Sequence, residues 1–301
     1  MIALRTCRSF LGSLALSLFG LAVSPFCGAQ EQVGITEITR KLLVFSTTMG
    51  NVVACVGPDG ALLIGTPSSA STQEISRSLA SRTRSSVRYV VIAPEDSAHS
   101  EGDAGWGRLG AFVAMQENAL QRIGGNVMGA PPSLSDRFIK LGVDRPRIAF
   151  SEVLAFDLND ESIHVVHQSP GYSNADAIVH FHVANLVYLG EVFPGDGYPT
   201  IDLTQGGTLD GLLKTLSGWT AGKFQVVPAR GKVTTGATVK EFSDMITTVR
   251  DRIQQMMHAG QDENQVLAAR PTSDFDATWG HGRVPPDAFV REVYDALKER
   301  E

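Results

Sequence analysis

A polar loop that follows a short apolar run is the first segment of this sequence that could do chemistry. The run covers residues 87–92, and the loop after it contains Glu95, Asp96 and His99. Loops beyond the ends of strands carry a disproportionate share of binding and catalytic residues. A histidine among carboxylates can transfer protons. The types of these residues predict a polar site at the end of this strand.

Other residues that could bind a ligand or take part in catalysis lie in less specific sequence patterns. Four histidines, His164, His167, His180 and His182, could bind a metal from adjacent strands, although partly exposed sheet positions explain them as well. Cys55 lies in an apolar run, which favours burial over reactivity. The sequence has no Gly-x-Ser-x-Gly elbow, no phosphate-binding Gly-Lys-Ser loop and no dinucleotide fingerprint. These absences argue against serine hydrolases, nucleotide enzymes and Rossmann dehydrogenases.

The first 29 residues have the pattern of a secretory signal peptide. Arg5 and Arg8 precede an uncharged apolar run at 11–23, and Cys27-Gly28-Ala29 provides small residues for cleavage after Ala29. An uncleaved anchor is the alternative, but the run is shorter than the roughly 17–25 residues of a spanning helix. The sequence therefore predicts a secreted or periplasmic protein without a membrane span after cleavage, and a single domain over residues 30–301.

The composition limits the classes of partner that the protein could bind and the interactions that could stabilise its fold. The chain of 301 residues is 43% hydrophobic with a net charge of −6, and cleavage would leave 24 basic and 32 acidic residues. Scattered basic residues on an acidic chain argue against nucleic acid as a partner. Cleavage also removes Cys7 and Cys27, so the mature chain cannot form an internal disulfide. A buried core must hold it together.

The hydrophobic pattern predicts strands and helices in alternating groups. Predicted strands cover residues 42–47, 51–56, 61–64, 87–92, 149–156, 163–167, 177–182, 186–189 and 224–227, with a helix at 69–81. Seven apolar residues at steps of three and four predict a long amphipathic helix: Val239, Phe242, Met245, Ile246, Val249, Ile253 and Met256. Phe289, Val290, Val293 and Leu297 predict a last helix. Two strand-rich halves, each followed by helices, indicate a layered α/β sandwich.

Five landmarks in order resemble the metallo-β-lactamase fold family over residues 33–280. They are the opening pattern of Asn51-Val52-Val53 and the strand at 61–64, with Gly65 in place of the usual Asp; the segment Pro94 to His99 where the family has H-x-H-x-D-H; Gly171-Tyr172-Ser173; Gly190-Glu191; and Pro228-Ala229-Arg230-Gly231. The resemblance implies an α/β fold, the four-layer αββα sandwich. Within this family, the chain resembles an exported bacterial subgroup whose metal-binding motifs have degenerated.

The resemblance also implies which residues stand at the family's metal-ligand positions. Pro94 and Ala98 offer no donor atom, Tyr172 stands for a histidine, and Arg230 brings a positive charge. Three positions keep a possible ligand: Asp96, His99 and Glu191. Because a catalytic zinc site generally needs three protein ligands and an open position, the two-metal mechanism is not expected here.

Two functions follow from this degenerate site. The first is a non-hydrolytic binding or accessory protein without a cofactor, in which Glu95 and Arg230 bind a small ligand that is anionic if Arg230 clamps it. The second is a hydrolase or related enzyme that uses Asp96, His99, Tyr172 and Glu191, either with one divalent metal such as zinc or by metal-free acid/base catalysis. Whether the protein is an enzyme stays open at this point. The sequence predicts that Arg230 forms a bidentate ion pair with Glu191 or Asp96.

Overall fold

A computed structural model describes residues 33–65, 69–92, 106–107, 109–124 and 146–299. The predicted signal peptide and the loop with Glu95, Asp96 and His99 lie outside the described residues. Within them, no helix is long and apolar enough to cross a membrane.

The first sheet has seven strands in chain order. They are β1 (Gly34–Glu37), β2 (Leu42–Ser46), β3 (Asn51–Cys55), β4 (Ala61–Ile64), β5 (Val87–Val91), β6 (Phe112–Gln116) and β7 (Ile148–Phe150). Strands β1 to β4 pair antiparallel, whereas β4 to β7 pair parallel. Every residue of β3 and β4 is buried, which explains their continuous apolar runs, since both faces of these strands are covered.

The second sheet has six strands. They are β8 (Val153–Leu158), β9 (Glu161–His167), β10 (Ala177–Phe181), β11 (Leu186–Gly190), β12 (Gln225–Pro228) and β13 (Thr234–Thr235), in the spatial order β13-β12-β11-β10-β9-β8. Among the described strands of this sheet, only β11 and β12 pair parallel. Strand β8 lies at the edge and alternates exposed with partly buried residues, as expected where one face meets water.

Helices cover the outer faces of both sheets. They are α1 (Ser69–Arg82), α2 (Glu117–Gly124), α3 (Leu209–Ser217), α4 (Gly236–His258), α5 (Glu263–Ala269), α6 (Asp276–Trp279) and α7 (Pro286–Lys298), with a 3-10 turn at Leu203–Gln205. The predicted stripe of α4 is buried from Val239 to Ile253, and Met256 is half-buried. Because α4 presents this stripe to the second sheet, the two form one hydrophobic core.

Hydrophobic cores fill the spaces between the successive layers of helices and sheets. Between the sheets, residues such as Val53 and Leu62 of the first sheet share a core with Val179 and Tyr188 of the second. Outside the first sheet, Ile75 of α1 packs on buried residues of β2 to β4, and outside the second sheet the later helices complete another core. The architecture is the four-layer αββα sandwich.

One predicted strand is wrong. The sequence predicted a single strand at 149–156, but Ile148–Phe150 pairs with β6 in the first sheet and Val153–Leu158 pairs with β9 in the second. The chain changes sheets at Ser151 and Glu152, two exposed polar residues. Ser151 is the one turn-type residue at this crossing, and without Gly or Pro beside it the turn signal is weak.

A half-buried carboxyl group predicts a pH-dependent part of the stability. Glu292 of α7 accepts a hydrogen bond from the backbone N–H of Ile201 at 2.7 Å. Burial, with a smaller contribution from Asp202, raises the pKa of Glu292 from 4.5 to about 7. A raised pKa means that the folded protein holds this proton more tightly than the unfolded chain does. Its stabilising contribution is therefore complete below pH 4.5 and is lost as the pH rises to 7.

We expect Glu292→Gln to remove this pH dependence, because the amide keeps an acceptor for Ile201 and does not ionise. Between pH 4.5 and 7.5 the free energy of unfolding of the parent should fall relative to that of the variant by about 1–2 kcal/mol, a figure reduced for solvent exposure. Urea unfolding at several pH values measures the difference. Parallel pH profiles for parent and variant would contradict the assignment.

Candidate functional site

The ion pair of Arg230 and Glu191 is the centre of the described part of the site. Arg230 Nη1 and Nη2 donate to the two carboxylate oxygens of Glu191, the second bond measuring 2.8 Å. Both side chains are only 12% exposed. The predicted bidentate pairing is confirmed, with Glu191 as the partner. Such paired hydrogen bonds between ions fix orientation as well as adding energy.

A second carboxylate, Asp196, completes the arrangement. Arg230 Nε donates to Asp196 Oδ2 at 3.1 Å, and the Asp196 side chain is 31% exposed. Sequence analysis missed this residue, because an acid six positions beyond the end of β11 belongs to no recognisable motif. We call the side chains of Arg230, Glu191 and Asp196 the Arg230 network. Because two carboxylates surround one guanidinium, the network has a net charge of −1.

Backbone contacts hold the Arg230 network at the junction of the two sheets. Asn51, the first residue of β3, donates from Nδ2 to the carbonyl oxygens of Pro228 and Gly231 at 3.0 and 2.9 Å. Its own Oδ1 accepts from Ser46 Oγ at 2.9 Å. The loop after β11 holds the other side, since Arg230 N donates to Pro194 O at 2.9 Å. The buried Asn51 side chain therefore joins the first sheet to the turn that carries Arg230.

Gly65 shows why the usual Asp of the resembled family does not fit here. Its φ of 91° lies in the region that favours glycine. A Cβ atom on Gly65 would lie 2.9 Å from the carbonyl oxygen of Asn51 and 3.4 Å from the Tyr188 hydroxyl. An aspartate at this position would need the backbone to shift.

Tyr172 lies on a loop between β9 and β10 that is built around Asp176. The backbone N–H groups of Gly171 and Tyr172 donate to Asp176 Oδ2 at 2.8 and 2.7 Å, and Ser173 donates to Oδ1 from N and Oγ at 2.9 and 3.0 Å. Burial raises the pKa of Asp176 to about 6 against these hydrogen bonds, so the carboxylate is present at neutral pH. Tyr172 itself is 8% exposed.

Not all of the predicted site residues can be placed. Glu95, Asp96 and His99 lie outside the described residues. Glu191 and Arg230 are brought into direct contact, whereas Tyr172 is fixed separately by Asp176 and by the N–H of Asp202, which donates to the Tyr172 carbonyl at 3.0 Å. The interpretation of these residues as ligand-binding or catalytic stays a prediction.

The described residues do not fit a two-metal centre. Both oxygens of Glu191 accept from a guanidinium, which has no lone pair for a metal and keeps its charge in proteins. Within the described ranges, no group of three or more His, Cys, Asp or Glu side chains is placed to hold a metal ion. No step of a mechanism is therefore derived through zinc.

The remaining candidates from the sequence have structural surroundings. Cys55 is fully buried, and burial raises the pKa of its thiol to about 11, so the reactive thiolate is not formed at neutral pH. His167 contacts the carbonyl of Asp176 through Nδ1 at 2.8 Å and so belongs to the Asp176 loop. His281 is exposed. The other three histidines of the sheet form a cluster of their own on β9 and β10.

Comparisons with known proteins identify the fold. No protein-family model and no curated protein matches the chain. Solved structures do: a metallo-β-lactamase from Pontibacter korlensis is 13% identical with a TM-score of 0.55, covering 72% of this chain and 99% of its own. The metallo-β-lactamase IND-7 is 13% identical with a TM-score of 0.57, covering 72% and 98%. DIM-1 metallo-β-lactamase is 11% identical with a TM-score of 0.55, covering 72% and 98%. With two sheets between helical layers and these structural neighbours, the chain has the metallo-β-lactamase fold.

Proposed function

We propose that this protein is exported and binds a small anionic ligand at the Arg230 network without hydrolysing it. The single observation that supports this proposal most is the ion pair that occupies both oxygens of Glu191. In the family that the sequence resembles, the carboxylate at the position of Glu191 bridges two metals. In this chain the Glu191 carboxylate neutralises Arg230 instead. Export depends on the signal peptide predicted to be cleaved after Ala29.

The chemistry of the pair argues against hydrolysis at this position. A carboxylate held in the fork of a guanidinium is a poor general base, because taking up a proton would break a charge-assisted hydrogen bond. The guanidinium cannot act as a base, since it is not deprotonated in proteins. The pair therefore provides binding and orientation.

Asp196 is the partner of Arg230 that an incoming anion would replace. It accepts a hydrogen bond from Arg230 Nε, and its side chain is 31% exposed, whereas the Glu191 side chain is 12% exposed. A ligand carboxylate could take this side of the guanidinium while Glu191 keeps the other. Without ligand the Arg230 network has a net charge of −1, and Asp196 competes with an incoming anion for Arg230. We therefore expect the parent protein to bind anions with low affinity.

This proposal predicts that Asp196→Asn strengthens anion binding. Calorimetric titration of the tag-free mature protein with succinate should show saturable binding, with succinamide as the uncharged control. Asp196→Asn should bind succinate at least about tenfold more tightly, because the competing charge is gone, and Arg230→Lys should bind it at least about tenfold more weakly, because the bidentate geometry is lost. Equal succinate affinities in the parent and both variants would overturn the proposed site.

The rival proposal, an enzyme with a rebuilt site made from Asp96, His99, Tyr172 and Glu191, has its own measurement. Metal content by plasma mass spectrometry, on protein exported to the periplasm and purified without chelator, should be unchanged by Glu191→Ala under our proposal. Near-stoichiometric metal that is lost in Glu191→Ala, together with turnover of a chromogenic β-lactam or ester, would contradict the binding proposal and support the enzyme proposal.

A further inference from the structure

Two imidazoles on the second sheet, away from the Arg230 network, face each other nitrogen to nitrogen. His164 lies in β9, and His182 follows the last residue of β10. His164 Nδ1 and His182 Nε2 are 3.0 Å apart and share a hydrogen bond, whose proton a bound metal ion would displace; the ring centroids are 4.5 Å apart with an interplanar angle of 69°. The contact is exposed, so ions reach it from solvent.

The sheet fixes the positions of both rings. His164 pairs with His180 in the register of β9 and β10, and His182 N donates to Ser162 O at 2.9 Å, which continues the ladder by one step. Because side chains two residues apart share a face of the sheet, His164, His180 and His182 all lie on the same face. A rigid backbone therefore presents the pair.

Aromatic rings support the pair from behind. The His180 ring lies 4.0 Å from that of His182, 5.2 Å from Trp219 and 5.7 Å from Phe224, measured between centroids. Nε2 of His180 is buried without a hydrogen-bond partner among the described residues. The nearby cation is Lys223, whose Nζ lies 5.1 Å from the centre of the Phe224 ring. This wall restricts His182 to few orientations.

The separation of the two nitrogens matches two neighbouring ligands of one metal ion. Imidazole nitrogens bind zinc at about 2.0–2.1 Å, so two of them subtending 90° lie about 2.9 Å apart, and at the tetrahedral angle about 3.4 Å apart. The observed 3.0 Å is close to the right-angle value. Square-planar coordination by nitrogen and oxygen is typical of Cu²⁺ and Ni²⁺, and Cu²⁺ has the highest affinity in the divalent series.

We propose that His164 and His182 bind one Cu²⁺ or Ni²⁺ ion on the surface of the second sheet, with solvent completing the coordination. The hard ions Mg²⁺ and Ca²⁺ prefer oxygen ligands and do not bind here. The site does not depend on the anion-binding function.

Titration of the tag-free mature protein with Cu²⁺, in a buffer with a weak competing chelator, tests this site. The parent should bind one equivalent with electron paramagnetic resonance splitting from two imidazole nitrogens, and Mg²⁺ should not compete. His182→Ala and the more conservative His164→Asn should each weaken binding at least about tenfold and lose the two-nitrogen signature. His258→Ala, which removes an exposed histidine from the last turn of α4, is the matched control and should bind like the parent.

Other outcomes would overturn the site. Equal Cu²⁺ affinity in the parent and both pair variants, or a spectrum with one nitrogen ligand in the parent, would assign the copper to another position. Glu191→Ala should leave the copper signal unchanged, which separates this site from any metal bound near the Arg230 network. Thermal unfolding of each variant without metal verifies that it is folded.

Discussion

Arg230→Met should lower the free energy of unfolding by about 3 kcal/mol. The substitution leaves the Glu191 carboxylate, 12% exposed, without the guanidinium that neutralises it, and also removes the hydrogen bond to Asp196. Breaking a buried ion pair by removing one partner costs about 3–5 kcal/mol, and the residual exposure places this pair at the low end. Urea unfolding followed by circular dichroism measures the change.

A double-mutant cycle separates the ion pair from the loss of packing. Glu191→Gln alone should cost less than Arg230→Met, because the amide keeps the shape and one acceptor. The double variant should be more stable than the sum of the single changes implies, by about 1–2 kcal/mol, since the unpaired charge that remains is on Asp196, which is 31% exposed to solvent, and not on the more buried Glu191. Additive costs would mean that the two side chains do not depend on each other.

An exposed ion pair in the same chain provides the matched control. Lys240 and Asp244 lie one turn apart on α4, and their side chains are 61% and 63% exposed. Lys240→Met should change stability by no more than about 0.5 kcal/mol, because solvent screens such pairs. If Arg230→Met cost no more than Lys240→Met, the Arg230 network would not stabilise the junction of the two sheets.

Strands β2 to β5 and the long helix could be predicted from the sequence because burial determines their composition, whereas β1 and β6 of the first sheet were not predicted. Strands β3 and β4 are buried on both faces and are continuously apolar, and α4 shows its stripe at helical spacing. The crossing between β7 and β8 was not predicted, because Ser151 alone is a weak turn signal and the residues on either side form one continuous apolar pattern.

The site was predictable where complementary charges meet and not where the backbone determines the contact. Arg230 and Glu191 have opposite charges, so their pairing was one of the two that the ordered landmarks of the fold predicted, the other being with Asp96. Asp196 and Asp176 act through loop geometry: one reaches Arg230 from a turn, and the other accepts from three successive N–H groups. A single sequence does not distinguish such acids from solvated ones.

The same dependence on backbone geometry explains the histidines. Their period of two correctly placed His180 and His182 on one face of a strand, but it did not indicate that the nitrogen of His182 meets His164 or that His167 contacts the carbonyl of Asp176. Both contacts depend on the register between β9 and β10. Register is determined by pairing across the sheet, which the sequence of one strand does not specify.

Asp176→Asn should destabilise the protein by about 2–4 kcal/mol at pH 7.5, although the two side chains have almost the same shape. Asp176 is 3% exposed, and its two oxygens accept four hydrogen bonds from Gly171, Tyr172 and Ser173. An amide has one oxygen, so its NH₂ group must face either the Gly171 and Tyr172 donors or the Ser173 donors. Each buried N–H left without an acceptor costs about 1–3 kcal/mol.

Asp157→Asn is the matched control for this substitution. Asp157 lies on the edge strand β8 and is exposed, so its change should shift stability by no more than about 0.5 kcal/mol. Hydrogen exchange at the amides of residues 171–173 locates the effect, because these groups should exchange faster in Asp176→Asn before the rest of the sheet does. Unchanged protection there would show that the loop holding Tyr172 is maintained by packing against α3 and the 202–208 segment, and that the carboxylate is not required for its conformation.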